Sequence, residues 1–313
     1  MALLIGCSCD TGNGNTGLPN CFEKFTVSRG FGVQYVQAKD GTLNRINLSV
    51  ESITTEFSSL FTEDDISKRI YPIRDLKNVD FPKEDTQFVT DNQNQKAFLR
   101  DGVQSVSAEV WEVPPAYDIK LKQMRCPRNG IWSFTREGVV GMKRKDASDG
   151  NFYFYPVEIK AFAPSYMLPK GDGISKEIIQ FDVDITVEIG ELWLVPWADI
   201  GMDYEDVIGL LDVDFIEQTA PVDATGTTTA EYRLISDFGT GLINGDKNVD
   251  ALVTADFTAT NITTGLAVVA FSATEVLDDK YTFSYTSETV GHTIEIKLNL
   301  STGYEGKVRF TQP

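Results

Sequence analysis

The sequence is poor in the residues that usually carry chemistry. It has one histidine, His292, in 313 residues. A Ser-His-Asp or Cys-His arrangement would have to use it, and no G-x-S-x-G elbow is present. The four cysteines, Cys7, Cys9, Cys21 and Cys126, lack the paired C-x2-C spacing of zinc ribbons and fingers. They read as free thiols of a reducing compartment. Positive charge is scarce. Lys and Arg number 28 against 46 Asp and Glu, a net charge of −18. That argues against a protein that wraps DNA, which needs a Lys/Arg surface, and leaves open a surface that DNA slides past. No apolar run approaches the ~20 residues of a membrane helix. Leu4-Ile5-Gly6-Cys7 has the shape of a lipoprotein box, but no basic segment or long apolar stretch precedes it. We expect no secretion signal, so the sequons at Asn47, Asn261 and Asn299 are chance matches.

What is present is a long alternation. In residues 176–197, KEIIQFDVDITVEIGELWLVPW, the side chains of Phe181, Val183, Ile185, Val187 and Ile189 share one parity. Asp182, Asp184, Thr186 and Glu188 share the other. A period of two predicts a strand with one buried and one wet face. Its length predicts a large sheet or barrel wall. The wet face shows Asp182, Asp184 and Glu188 and no cation, so an electronegative surface is expected.

The first 21 residues, rich in Gly, Asn and Thr, read as an irregular arm. Phe31–Ala38 and Leu43–Val50 flank Asp40-Gly41, a hairpin-turn signal. Thr62–Ile70 reads as a short helix capped by Thr62. Residues 75–101 read as a long loop, which in a compact domain is usually functional. Strand patterns return at Val103–Val113, Ile131–Val140 and Phe152–Phe162. Met142–Lys145 is the one basic cluster, either a solvated hairpin end or an intersubunit contact. Residues 1–216 are expected to form one β-domain. Residues 217–231, EQTAPVDATGTTTAE, contain no aromatic and read as a linker. Short alternating segments over 232–313 predict a β-sandwich. There Leu277–Tyr285 resembles the approach to a tyrosine corner.

No active site emerges. Gly12-Asn-Gly14-Asn-Thr-Gly17 fits G-x-G-x-x-G, but Leu18-Pro19 follows and no helix opens there. Asp182 and Asp184 lie within about 7 Å on one strand face. They could act as a glycosidase pair only beside a cleft with exposed aromatics. Trp193 and Trp197 are near, with core packing the default. We therefore expect no catalytic residue, cofactor or metal.

The layout resembles the tail tube (major tail) proteins of long-tailed bacteriophages. The carriers of that resemblance are the Asp40-Gly41 hairpin, the loop at 75–101, the acidic strand at 178–195, the linker and the C-terminal sandwich. The resemblance implies an all-β protein with one or two short helices, a tube-forming barrel or sandwich domain and an Ig-like domain. It implies copies of the chain in stacked, six-membered rings, other tail proteins as partners, and no membrane. The location would be the virion tail, after synthesis in the host cytoplasm. DNA would pass through the tube without specific binding. Asp182, Asp184 and Glu188 then either line the lumen or merely face solvent. Other expectations are a capsid accessory or tail terminator, or a surface adhesin or carbohydrate-binding protein.

Overall fold

The computed structural model describes residues 26, 28–48, 53–90, 95–100, 102–125, 128–171, 173–184, 191–236, 249, 251–277 and 280–313. The arm 1–21, all four cysteines, the Gly12–Gly17 motif and Glu188 lie outside these residues. The fold is all-β, with three short helices among the described residues rather than one or two. The chain divides into two compact units, Met1–Ile208 and Gly209–Pro313.

Among the described residues the first unit contains thirteen strands. They are β1 (Gly30–Tyr35), β2 (Ile46–Asn47), β3 (Tyr71–Ile73), β4 (Lys77–Asp80), β5 (Gln87–Thr90), β6 (Lys96–Arg100) and β7 (Ser105–Trp111), then β8 (Asn129–Phe134), β9 (Gly138–Lys145), β10 (Phe152–Tyr155), β11 (Val157–Met167), β12 (Lys176–Val183) and β13 (Leu192–Pro196). The helices are α1 (Ile53–Ser59), α2 (Pro115–Gln123) and α3 (Trp197–Ile200). Eleven strands form one sheet with the path β2-β10-β9-β8-β11-β12-β7-β4, and β1, β3 and β13 attach beside it. The sheet curls: Phe31 on β1 meets Phe181 on β12 edge to face at 5.3 Å. Inside the curl lies a core of Val33, Ile73, Val106, Ile159, Ile179 and Leu121 of α2. A second core packs Trp132, Phe134 and Phe154 against α1 and α3.

The long strand of the sequence is two strands. β12 stops at Val183 and pairs β7 and β11, whereas β13 starts at Leu192 and pairs β9. Alternation specifies faces, not the point at which a chain changes neighbours. The expected helix at Thr62–Ile70 is a series of turns. Asp65 accepts bonds from the amide and hydroxyl of Ser67, and Arg69 donates to the Glu63 carbonyl. Such local bonds compete with a helix. The helix lies just upstream, where Ile53, Phe57 and Phe61 recur every fourth residue and are buried.

The second unit is a two-layer sandwich. One sheet orders β18 (Ser272–Leu277), β19 (Lys280–Thr286), β15 (Thr227–Ser236), β14 (Leu211–Ala224) and β21 (Tyr304–Glu305). The other orders β17 (Leu266–Ala267), β16 (Phe257–Asn261), β20 (Thr293–Leu298) and β22 (Lys307–Thr311). Tyr232, Phe283, Phe257 and Ile296 join the layers, with Phe257 and Phe283 at 5.1 Å. Tyr281 takes the amide of Leu252 on its hydroxyl at 3.1 Å. The segment 217–231 is not a linker: it forms the facing arms of β14 and β15. Thr225 and Gly226 both take positive φ, 53° and 87°, the requirement of a two-residue type I′ hairpin turn. Two register shifts interrupt β14, at Glu217/Thr219 and Thr219/Val222, and the second contains Pro221, which cannot donate to a ladder.

Candidate functional site

The polar face expected from the acidic strand exists, and its neighbours complete it. On β7, Val106, Ala108 and Val110 point into the core. Ser105, Ser107, Glu109 and Trp111 therefore point out. Register sets Asp182 opposite Ser105, Gln180 opposite Ser107, Ile178 opposite Glu109 and Lys176 opposite Trp111. On the other side Lys160 faces Asp182, Ala163 faces Gln180 and Ser165 faces Ile178. A bulge between Lys160 and Ala163, with Ala161 at φ 53°, keeps the rows aligned.

Two lysines temper the acids. The Ser105 hydroxyl donates to Asp182 at 2.6 Å. Asp184, a mostly buried side chain, pairs with Lys160 at 3.0 Å. Lys176 lies 2.6 Å from Glu109. Lys176, with help from the indole N–H of Trp111 and the amide of Asn78, holds the Glu109 carboxyl below its usual range. The face is thus a hydroxyl- and amide-rich surface in which both lysines are ion-paired and Asp182 is held by the Ser105 hydroxyl. The expectation of carboxylates without cations is corrected: Lys160 arrives from β11 by cross-strand pairing that one strand's sequence cannot display, and Lys176 stands on β12 itself, on the parity of Asp182.

The expected loop at 75–101 is an excursion with strands of its own. β4 joins the main sheet, while β5 and β6 pair only with each other. Their aromatic residues stand in the open: Phe88 is 54% and Phe98 61% exposed, with rings 6.4 Å apart. The base is tied by the Glu84 amide to the Val103 carbonyl and the Ser105 amide to the Pro82 carbonyl. Gly102 is obligatory there, since a Cβ would sit 1.7 Å from the Glu84 carbonyl oxygen.

Asp40 and Gly41 do form a turn, with Gly41 at φ 85° and Asp40 accepting from the amide and hydroxyl of Thr42. Those bonds, then Lys68, bring the Asp40 carboxyl down to about 2. The expected hairpin arms separate beyond a bridge at Gln37–Leu43. β1 pairs β8 and β3, whereas β2 pairs β10. The arm below the tip is packed down, with Val36 and Ala38 buried, whereas residues 39–43 at the tip are exposed and tied back by the Lys39 amide, which donates to Ser67.

The remaining candidates serve the fold. In the basic cluster, Lys143 lies over Trp193 at 3.8 Å and Arg144 pairs with Glu191 at 2.7 Å. The Trp197 indole donates to the Thr135 carbonyl from a buried position. His292 contacts the Asn261 amide at 2.9 Å. Among the described residues no group of three His, Cys, Asp or Glu side chains is placed to hold a metal. No helix among them is long and apolar enough to cross a membrane. The class defined here is a two-unit, all-β protein with a polar sheet face and a self-paired hairpin. No family model, no curated protein and no solved structure matches the chain.

Proposed function

We propose that the chain is a structural subunit of a phage tail tube, assembling with copies of itself into stacked rings. The single observation that carries this reading is the β5–β6 hairpin. An isolated two-stranded hairpin is marginal in water, and apolar side chains grouped on such an arm mark an interaction surface. A neighbouring copy supplies the missing cover. The curled sheet, its polar outer face and a separate C-terminal sandwich in the Ig-like manner support the same reading. The rows of Ser105, Ser107, Gln180 and Asp182 would form the wall past which DNA moves. Lysines tied in ion pairs there are poor collectors of phosphate, whose capture relies on cations that release counterions.

The test is assembly of the full chain and of a Phe88→Ser/Phe98→Ser double variant, followed by sedimentation and negative-stain microscopy. The parent should form rings or tubes. The variant should remain a folded monomer, because exposed substitutions seldom change stability by more than about 0.5 kcal/mol. Rings from the variant would remove the hairpin from the assembly mechanism. A parent that stays monomeric at high concentration would favour an adhesin or carbohydrate-binding protein. Capped single rings would favour a terminator.

A further inference from the structure

Glu177 occupies an inward position on β12, in step with Ile179 and Phe181. Its neighbours in register are Tyr166 on β11 and Val110 on β7. It is 0% exposed, and neither carboxylate oxygen accepts a hydrogen bond. α2 covers this part of the sheet, seating Leu121 and Tyr117 in the same core. The helix also brings Asp118, 8% exposed, whose Oδ1 has no partner and whose Oδ2 takes the Lys122 ammonium. Three unpartnered carboxylate oxygens are therefore enclosed between one helix and one strand.

The surrounding groups do not satisfy them. From the helix side come Tyr117, Asp118 and Lys122, followed by Arg125, whose guanidinium is engaged by the Pro164 carbonyl. From β11 come the Ser165 amide, which leans toward the Glu177 carboxylate without reaching hydrogen-bonding geometry, and Tyr166, whose hydroxyl donates to the Val113 carbonyl. β7 offers only the apolar Val110 at this position. Among the described residues Glu177 forms no ion pair. A buried carboxylate without partners is far costlier than a buried carboxylic acid.

We propose that the Glu177–Asp118 pair is a proton-operated latch that holds α2 on the sheet. With Glu177 protonated, the single charge on Asp118 is balanced by Lys122 and the helix stays seated. When the proton leaves to solvent, a second carboxylate beneath the helix repels the first, and α2 lifts to let water reach both. Burial, then the charge of Asp118, pushes the Glu177 carboxyl up from 4.5 to about 7, against the opposing pull of Lys122 and Arg125. The sign follows from proton counting. Between those two values the closed state holds more protons than the open state, so closure weakens as pH rises and levels off above about 7. The latch is closed in acid and loosened in base.

Hydrogen exchange of the α2 amides in the full chain, corrected for intrinsic base catalysis, reads the latch directly. From pH 5.5 to pH 8.5 the linkage gives about a thirtyfold loss of protection over Pro115–Gln123. Glu177→Gln, which cannot ionise, should flatten that profile and protect α2 better than the parent at pH 8.5. Asp118→Asn, which removes the repelling charge, should move the midpoint to lower pH, and it decides the matter alone if the glutamine variant fails to fold. A Glu177→Gln profile as steep as the parent's, or an Asp118→Asn midpoint that does not move, overturns the proposal. So does recovery of protection at pH 8.5 by millimolar calcium alone, which would make the pair a cation site.

Discussion

A fragment of residues 209–313 will fold cooperatively by itself, and a fragment of residues 231–313 will not. The shorter piece corresponds to the boundary suggested by the small, aromatic-free segment 217–231, but that segment belongs to the sandwich. Cutting at 231 removes β14, which pairs β15 from Val213–Ser236 to Ala224–Thr227. It also removes Val213 and Phe215, the latter in ring contact with Tyr232 and Phe283, each at 6.2 Å. Full burial of such a side chain contributes about 1.5–3 kcal/mol, which Val213 reaches and the half-buried Phe215 reaches in part. The cut also takes Ala230 and Thr228 from β15; the Thr228 hydroxyl receives the buried Gln312 amide at 2.7 Å. Together these losses rival the ~5–15 kcal/mol that holds a typical domain. Thermal unfolding followed by near-ultraviolet circular dichroism separates the cases. A cooperative transition in the 231–313 fragment matching that of the 209–313 fragment would refute the assignment of β14 to this unit.

Trp132→Ala should be among the most damaging single substitutions in the first unit. Trp132 is fully buried, with Phe154 at 4.8 Å and Phe57 at 5.6 Å. Its indole donates to Gln34 at 2.9 Å, and Gln34 is itself buried, its amide spent on the Lys68 carbonyl. Truncating a buried Trp costs about 3–5 kcal/mol. Leaving the Gln34 oxygen without a donor adds about 1–3 kcal/mol. Urea unfolding should show a loss of at least about 3 kcal/mol. A loss near that of a surface substitution would mean that this core is not organised around Trp132.

The sequence was most legible where a face has a period. The buried parity of Phe181 and the open parity of Asp182 are as alternation requires, and so is the Asp40-Gly41 turn. It was least legible where a neighbour decides. Nothing in residues 176–197 indicates that β12 pairs β7 and β11 while β13 pairs β9. Nothing there announces Lys160, 24 residues before Asp184, which register sets opposite Asp182 and within reach of Asp184. Two misreadings had local signals. Ile53, Phe57 and Phe61 carry the helical spacing, masked by β-branched Thr54 and Thr55. The Thr-rich stretch after Pro221 has high strand propensity, and Thr225-Gly226 is a turn dipeptide. α2 gave only a weak notice, Pro115 in its first turn and Asp118 four residues before Lys122.

The pairing pattern also sets an order of events in the newly made chain. β1 must find β8 across roughly 100 residues, and β2 must find β10 across a similar span. β14 and β15, by contrast, meet across a two-residue turn. Loop closure is paid before long-range contacts return anything, so sheets built from distant partners form slowly. The β14–β15 hairpin can zip within microseconds of release, whereas the strands of the first unit must wait for distant partners, with unpaired edges open to other chains until those are made.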